Sequence, residues 1–239
     1  MKPLDEKVVM VTGAGRGIGR AIALVLGRAG ARIVLTARSK DELAAVAEEL
    51  RREGGEALVI PADLTRDEEM DRLVEQAVSA WGPVDILINN AGWGQTASVV
   101  KSRVSDWDRT FQVNLRAPYV LSRLVLPAML EKGDGAVINI ASISAIAGHA
   151  NGAAYSASKF GLRGFSQSLY EEVREHGIRV AAILPGFVDT VLIPPTRRLD
   201  RTKMIRPEDV AQAVLFVLTA LPASCPVEIT LRPQKSPYR

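Results

Sequence analysis

The chain has 239 residues, 47% of them hydrophobic and 24% charged, which is ordinary for a globular protein with a sizeable core. Its net charge of +3 comes without any run of lysine or arginine, so we expect no nucleic-acid partner. With one cysteine, two separated histidines and no apolar run long enough to span a bilayer, we expect no disulfide, no metal site, no membrane partner and a cytoplasmic location.

Apolar segments of strand length alternate with helical segments along the chain. Strands are expected at 7–11, 32–37, 56–61, 84–88, 135–140, 179–184 and 227–231, and the main helices at 40–53, 67–81, 105–130, from about 155 to 176, and 207–221. Such alternation indicates parallel βαβ units. No linker or repeat divides the chain, so we predict a single domain over 1–239. We expect an α/β, doubly wound Rossmann fold, with a parallel sheet of about seven strands and helices on both faces.

A glycine-rich turn lies between the first strand and the first helix. It contains Gly13, Gly15, Gly17 and Gly19. A strand, a glycine-rich turn and a helix in this order form a cradle for a pyrophosphate, because the glycines let backbone N–H groups approach and the helix N-terminus is positive. A simple tight turn is the alternative, but it needs only one glycine. The turn therefore predicts a bound dinucleotide.

The end of the second strand indicates which dinucleotide is bound. It reads Leu35-Thr36-Ala37-Arg38, and Thr36 is assigned to the position of the acid that holds the ribose 2′-hydroxyl in NAD-specific proteins. Arg38 follows, and Arg16 lies in the glycine turn, so two guanidinium groups are available for a 2′-phosphate. The alternative is that both arginines are solvated surface residues. We predict NADP(H).

A proline interrupts the helix predicted over 105–130. Pro118 has no N–H to donate to the carbonyl of Asn114, four residues earlier. The Asn114 carbonyl is therefore expected to be free for another donor, and a kink with water filling the gap is the alternative.

Tyr155 and Lys159 are four residues apart, one turn of the predicted helix. A cation at this distance favours the phenolate and is expected to lower the pKa of Tyr155 from its usual value of about 10. The pair is therefore a candidate general acid/base. The same spacing also occurs by chance on solvated helix faces, so the assignment depends on the other motifs.

Residues 190–205 are predicted to form a substrate loop. They have an irregular pattern with Pro194-Pro195, and they mix apolar residues with Arg197, Arg198, Arg201 and Lys203. The loop could close over an acidic or phosphate-bearing substrate, or be a solvated lid.

Four stretches together resemble the short-chain dehydrogenase/reductase family in its single-domain branch. They are Thr12-Gly13-x-x-x-Gly17-Ile18-Gly19, Asn89-Asn90-Ala91-Gly92, Ser142 followed by Tyr155-x-x-x-Lys159, and Pro185-Gly186 with Thr190. The first two-thirds of the chain is most similar to the 3-oxoacyl-[acyl-carrier-protein] reductases and related carbonyl reductases. The resemblance implies an NADP(H)-dependent oxidoreductase that interconverts a ketone and a secondary alcohol. It also implies a small-molecule carbonyl or alcohol substrate and a homo-oligomer, either a tetramer or a dimer.

The resemblance also implies roles for particular residues. Tyr155 would donate a proton to the substrate carbonyl, and Lys159 would hold the ribose hydroxyls. Ser142 would stabilise the carbonyl oxygen, and Asn114 would anchor a water. The implied cofactor-binding residues are Gly13, Gly15, Arg16, Gly17, Ile18, Gly19, Arg38, Asp63, Leu64, Asn90, Ala91, Gly92, Tyr155, Lys159, Pro185, Gly186, Val188 and Thr190. A turn serine is the alternative for Ser142, and a strand-end cap is the alternative for Asn90.

The end of the chain departs from the family pattern. Residues 222–233 lack the paired glycines with which many members finish a strand that supports a four-subunit assembly. Similar endings occur in members that act on small hydroxy or keto compounds. A non-catalytic NADP-binding sensor or scaffold is the alternative function, although such members usually lose the tyrosine or the lysine, and this chain has both.

Overall fold

Seven parallel strands form one sheet in the order β3-β2-β1-β4-β5-β6-β7. The computed structural model describes residues 2–191, 193, 196 and 198–238. The strands are β1 (Val8–Thr12), β2 (Arg32–Thr36), β3 (Glu56–Val59), β4 (Ile86–Asn89), β5 (Gly135–Ile140), β6 (Ile178–Pro185) and β7 (Glu228–Leu231). The strand order reverses direction between β1 and β4, which is where a doubly wound sheet opens a crevice at its carboxyl edge. The predicted fold class is confirmed, with strand ends within two residues of those expected.

Seven helices cover the two faces of this sheet. They are α1 (Gly17–Arg28), α2 (Lys40–Arg52), α3 (Asp67–Trp81), α4 (Val104–Phe111), α5 (Ala117–Lys132), α6 (Ala153–Val173) and α7 (Pro207–Thr219). The central strand β1 shows why helices must cover both faces of the sheet. Val9 and Val11 belong to one hydrophobic core, while Val8 and Met10 belong to the core on the opposite face. A strand buried on both sides is therefore a continuous apolar run.

A buried polar network fixes β4, β5 and α6 relative to one another. The side-chain amide of Asn89 donates to Asn139 Oδ1 at 2.8 Å, directly across the strand pair. The amide of Asn139 in turn donates to Ser166 Oγ at 2.8 Å, and Ser166 donates to the carbonyl of Leu162. Since buried polar groups are costly unless paired, this network favours one register. It holds the strand end before Asn90 and the helix that carries Tyr155 in fixed positions.

The long helix predicted over 105–130 is divided by a wider turn. A π-helical turn, Gln112–Arg116, separates α4 from α5, and the N–H of Ala117 donates to Gln112 O, five residues back. Pro118 follows in the first turn of α5, where a proline is tolerated. The irregularity expected near Pro118 is therefore a π-bulge, a feature common at functional sites.

Within the described ranges, no helix combines the length and the apolar character that crossing a bilayer requires. Of the predicted substrate loop, Pro194, Pro195 and Arg197 lie outside the described residues.

Candidate active site

The motifs predicted from the sequence meet at one edge of the sheet. The glycine turn follows β1, Arg38 follows β2, Asn90 follows β4, Ser142 follows β5, and Gly186 follows β6. Because all seven strands are parallel, their carboxyl ends lie on the same side. The crevice between β1 and β4 is thus flanked by the candidate cofactor residues and the candidate catalytic residues.

The glycine turn has the geometry of an anion cradle. Gly13 and Gly17 have φ values of +64° and +55°, which favour glycine. A side chain on Gly19 would collide with the carbonyl of Gly13 and with the Asn90 amide. Helix α1 begins at Gly17 without a side-chain cap or an acidic residue in its first turn, so its N–H groups remain available to an anion. These features fit the pyrophosphate of a dinucleotide.

Asn90 joins the ends of β1 and β4. Its side-chain amide donates to the carbonyl of Thr12 at 2.8 Å, and the backbone N–H groups of Asn90 and Ala91 both donate to Thr12 Oγ1 at 2.9 Å. This is the strand-end role that the sequence left open for Asn90. Thr12, which the sequence analysis quoted only as part of a motif, organises the base of the crevice.

Residues after β6 close the other side of the crevice. The N–H of Gly186, which follows Pro185, donates to Leu231 O at 2.8 Å. Val188 is buried and forms a parallel bridge with Ile205. A Cβ built on Gly17 would lie 3.2 Å from Thr190 Cγ2, so Thr190 faces the glycine turn.

Lys159 is buried beside the crevice. Its residue is 3% exposed, and its Nζ donates to the carbonyl of Ile140 at 2.8 Å. Burial lowers the pKa of Lys159 to about 8, because the charged form loses its hydration. Gly92 lies beside the ammonium, since a Cβ built on it would be 3.9 Å from this Nζ. The Nζ lies 5.8 Å from the centre of the Tyr155 ring.

The pKa of Tyr155 is raised, which corrects the expectation that Lys159 would lower it. Burial of the phenol is the main cause, and a hydrogen bond with Ser142 acts in the opposite direction. Ser142 Oγ accepts the N–H of Ser144 at 3.1 Å, so its hydroxyl proton is free to point at the phenol oxygen. Desolvation outweighs the Ser142 hydrogen bond, and the phenol is protonated at neutral pH.

Asn114 is held through its side chain as well as its backbone. Its Oδ1 accepts the N–H of Trp93 at 2.8 Å, and its Nδ2 donates to Trp93 O at 2.8 Å and to Ser158 Oγ at 3.0 Å. Ser158 donates to the carbonyl of Tyr155 at 2.7 Å. The amide therefore ties the segment after β4 to the turn of α6 that carries Tyr155. The role predicted for the Asn114 carbonyl stays a prediction.

Gly94 is a site residue that the sequence analysis missed. A Cβ on Gly94 would lie 2.7 Å from Cδ2 of Tyr155, so only glycine lets the tyrosine ring pack against this segment. The signal available was a glycine two residues after the Asn-Asn-Ala-Gly motif, which by itself does not reveal the ring that covers it.

The two arginines expected at the ribose differ in their surroundings. Arg16 Nη1 donates to Glu42 Oε1 at 3.1 Å, and both side chains are substantially exposed. Arg38 is exposed and forms no ion pair with any described residue. Arg16 is thus hydrogen-bonded to an acid, whereas Arg38 makes no such bond and its charge acts on the Asp63 carboxylate from a greater distance.

Asp63 and Leu64 follow β3 at the same edge. Burial acts to raise the pKa of the Asp63 carboxyl, but hydrogen bonds from the backbone and hydroxyl of Thr65 and the charge of Arg38 outweigh it, so the pKa is lowered. The carboxylate is thus ionised and accepts two hydrogen bonds from Thr65, while Leu64 is buried in the core. No cluster of three or more His, Cys, Asp or Glu side chains within the described part of the chain is placed to hold a metal ion.

The position assigned to Thr36 is wrong by one residue. Thr36 is fully buried, and its Oγ1 has no hydrogen-bond partner among the described residues. Ala37 is only partly buried and immediately precedes Arg38. The buried Thr36 side chain is therefore not open to a ribose, and Ala37 is the first partly exposed residue at this strand end. The absence of an acid at that position is unchanged, since alanine also lacks one.

The parallel sheet, the glycine cradle at a helix N-terminus and the lysine–tyrosine pair together define a dinucleotide-binding protein of the Rossmann type. The family model described as short chain dehydrogenase matches residues 7–199. An uncharacterized oxidoreductase of Staphylococcus aureus (strain MRSA252) is 39% identical over 233 residues, covering 98% of this chain and 100% of that protein. Another, of Staphylococcus saprophyticus, is 37% identical over 236 residues, with the same coverage of 98% and 100%. The chain belongs to the short-chain dehydrogenase/reductase family and is an oxidoreductase of that family.

Two solved structures are similar over nearly the whole chain. A metagenomic short-chain oxidoreductase in complex with NADP is 38% identical, with a TM-score of 0.87 and coverage of 98% of this chain and 100% of that one. A 7α-hydroxysteroid dehydrogenase complexed with NADH and 7-oxo glycochenodeoxycholic acid is 30% identical, with a TM-score of 0.90 and coverage of 98% and 96%. Both similar proteins hold a nicotinamide cofactor, one phosphorylated at the adenosine ribose and one not.

Proposed function

We propose that this protein is an NADP(H)-dependent oxidoreductase that interconverts a ketone and a secondary alcohol. The observation that carries the proposal is the arrangement of three side chains at the carboxyl edge. Tyr155 has a phenol that burial keeps protonated, Ser142 is hydrogen-bonded to it, and the buried Lys159 lies one turn away. A protonated phenol with a hydroxyl and a cation beside it is suited to giving a proton to a carbonyl oxygen.

NADPH, when bound, would supply the hydride that is added to the carbonyl carbon. The protein residues manage the charge that develops on the carbonyl oxygen. Tyr155 donates its proton to this oxygen, and the Ser142 hydroxyl donates a hydrogen bond to it. In the direction of alcohol oxidation Tyr155 accepts the proton instead.

Lys159 supports both the proton transfer and cofactor binding. With a pKa of about 8, most Lys159 side chains carry a charge at pH 7. That charge, 5.8 Å from the tyrosine ring centre, stabilises the phenolate as the proton leaves. The ammonium, which lies beside Gly92 at the strand end, also holds the ribose hydroxyls of the bound cofactor.

The preference for NADP(H) is supported by Arg38. Its guanidinium is exposed and makes no ion pair with a described residue, although its charge acts on Asp63, and it lies directly after the strand that ends without an acid. Arg16 contributes less, because Glu42 shares its charge. The similar metagenomic oxidoreductase solved with NADP supports the same choice.

A ketone is supported as the reacting group by the similar hydroxysteroid dehydrogenase solved with a 7-oxo compound. The subgroup of 3-oxoacyl-[acyl-carrier-protein] reductases and the cytoplasmic location remain predictions. A homo-oligomer, dimer or tetramer, is supported by large apolar side chains that α4, α5 and α6 expose, namely Trp107, Tyr119 and Phe160.

The test is to measure NADPH binding by fluorescence and NADPH oxidation by absorbance with a panel of aliphatic, aryl and cyclic ketones. The proposal expects micromolar or tighter binding and turnover of at least one ketone class, with NADH used less well. Binding of NADPH without turnover, in either direction and across the panel, would instead favour the non-catalytic sensor.

A further inference from the structure

The segment that follows β7 turns back onto the predicted substrate loop. The N–H of Asp200 donates to the carbonyl of Pro237 at 2.7 Å, and Leu199 and Tyr238 form an antiparallel bridge. Pro237 is buried at this junction. Residues 232–238 thus form a strap that crosses the predicted substrate loop. The strap continues from residues 222–233, the segment that departs from the family pattern.

The strap reaches an aromatic residue at the carboxyl edge of the sheet. The rings of Tyr238 and Phe187 are 5.4 Å apart at 84°, an edge-to-face contact. Phe187 directly follows Gly186, and a Cβ on Gly186 would lie 3.7 Å from Ile143 Cδ1. Ile143 is the residue after Ser142, so Gly186 lies beside the catalytic segment and Phe187 is the next residue along the chain.

Arg201 joins described residues at the start of the loop through three hydrogen bonds. The Arg201 guanidinium donates to Asp189 Oδ1 at 2.6 Å, to the carbonyl of Ile193 at 3.1 Å and to the carbonyl of Thr190 at 3.0 Å. Arg201, which the sequence suggested could bind an acidic substrate, therefore makes its hydrogen bonds within the protein at the base of the loop. Asp200, which donates to Pro237, directly precedes Arg201, which donates to the carbonyl of Thr190. The strap is therefore connected through two adjacent residues to the segment that carries Thr190.

The strap also borders an open space. A cavity of about 580 Å³ is lined by residues 231–235 on one side and by residues 202–205 on the other. Beyond this cavity, Pro237 and Tyr238 contact residues 199–200.

We propose that Tyr238 is a positioning residue that sets substrate specificity. It braces Phe187 from one side and residues 199–200 from the other, and so fixes the width of the space beside Ser142. The brace limits the bulk of the group that a ketone can place against Phe187. The inference rests on the proposed function for its substrate class, and its structural part stands on the contacts alone.

The first test compares kcat/KM for a bulky aryl ketone with that for a small aliphatic ketone. Tyr238→Ala is expected to raise the bulky-to-small ratio about tenfold or more, through KM, with the Kd of NADPH unchanged. Tyr238→Phe retains the ring and is expected to keep the wild-type ratio. Phe216→Ala is the matched control, because Phe216 is an aromatic residue of similar exposure that lies on α7. An unchanged ratio in Tyr238→Ala overturns the proposal.

The second test does not depend on turnover. Hydrogen exchange is measured at the amide of Asp200, which donates to Pro237, and at the amide of Ala141, which donates to Ile183 in the sheet. Tyr238→Ala is expected to speed exchange at Asp200 about tenfold and to leave Ala141 unchanged. If the wild type reduces no ketone, the proposed function fails, but the exchange rates still test whether Tyr238 braces Phe187 and residues 199–200. Equal exchange at Asp200 in the wild type and in Tyr238→Ala would show that it does not.

Discussion

Burial acts on the two ionisable side chains of the site in opposite directions. It raises the pKa of the Tyr155 phenol and lowers that of the Lys159 ammonium to about 8, because in each case the charged form is the one that loses solvent. The phenol is thereby kept as a proton donor, and the lysine is brought within reach of physiological pH. Perturbed groups of this kind, converging in a crevice, mark functional sites.

The proton-donor role is tested by Tyr155→Phe, which removes only the hydroxyl. We expect turnover to fall by at least ~10²-fold, the range that general acid catalysis supplies, and the Kd of NADPH to stay within a few-fold of wild type. Tyr170→Phe, on the same helix, is the control and should be neutral. Near-normal turnover in Tyr155→Phe would mean that another group delivers the proton.

The desolvation of Lys159 predicts a pH-dependent stability difference. The pKa is near 8 in the folded protein and near its ordinary 10.5 in the unfolded chain, so between these values the unfolded state binds more protons and stability rises with pH. Relative to Lys159→Met, the wild type should therefore gain about 2 kcal/mol in the free energy of unfolding from pH 8 to pH 10. Urea denaturation of both proteins at several pH values measures the difference, and parallel profiles would show that Lys159 is not desolvated.

Substitutions at neighbouring residues at the end of β2 are expected to have different effects on cofactor choice. Arg38→Ala should lower kcat/KM for NADPH by about tenfold or more, since charge-assisted hydrogen bonds contribute about 1.5–3 kcal/mol, and should leave NADH kinetics nearly unchanged. Ala37→Asp should favour NADH by repelling the 2′-phosphate and accepting from the 2′-hydroxyl. Thr36→Asp should instead destabilise the fold, because that side chain is fully buried.

The comparison is made from kcat/KM for both cofactors in the wild type and in these variants. Arg52→Ala, an exposed arginine at the far end of α2, is the control. Equal or better use of NADH by the wild type would rule out the assignment of Arg38.

At the scale of elements, the π-turn between α4 and α5 explains how a helix contributes to the site. The wider turn buries Asn114, and the amide there serves both Trp93 and Ser158. Asn114→Ala leaves these buried polar groups unpaired, so we expect a loss of about 2–4 kcal/mol of stability and a fall in kcat as the segment after β4 loosens.

Gln112→Ala is the matched control, since Gln112 lies in the same turn and makes a single bond, from its Nε2 to Thr65 O at 3.1 Å. Thermal unfolding and kcat are measured for both variants. If Asn114→Ala is no more damaging than Gln112→Ala, the amide does not organise the site.

Sequence reasoning found the elements because each depends on local chemistry. The apolar runs predict buried strands, the four glycines predict a cradle, and parallel strands necessarily bring their carboxyl ends together. It failed where the position of a side chain depends on a one-residue shift in strand register or on a contact between segments distant in sequence. Thr36 and Ala37 exchange faces on a one-residue shift, and the packing of Gly94 on Tyr155 depends on how two separate segments meet. The strap that ends at Tyr238 has no local pattern at all.

At the scale of the whole molecule, the sheet links the cofactor half to the catalytic half through the buried amide network. The strands β4 and β5 meet at Asn89 and Asn139, and α6 joins them through Ser166. All three residues are almost completely buried, so no water is at hand to replace a lost partner. The network therefore couples the crevice beside β1 to the helix that carries Tyr155.

The last prediction concerns this coupling. Asn139→Ala strips the Asn89 amide of its acceptor and Ser166 Oγ of one donor, and it leaves a small cavity between strands. We expect a loss of about 2–4 kcal/mol in the free energy of unfolding, with kcat lowered more than the Kd of NADPH is raised, because Ser142 follows shortly after the end of β5. Ser122→Ala is the matched control: its buried hydroxyl only donates to Pro118 O within its own helix, at 2.7 Å, so about 1 kcal/mol or less should be lost. Urea denaturation and steady-state kinetics measure both variants, and equal losses in the two would show that the network stabilises no more than an ordinary helix hydroxyl does.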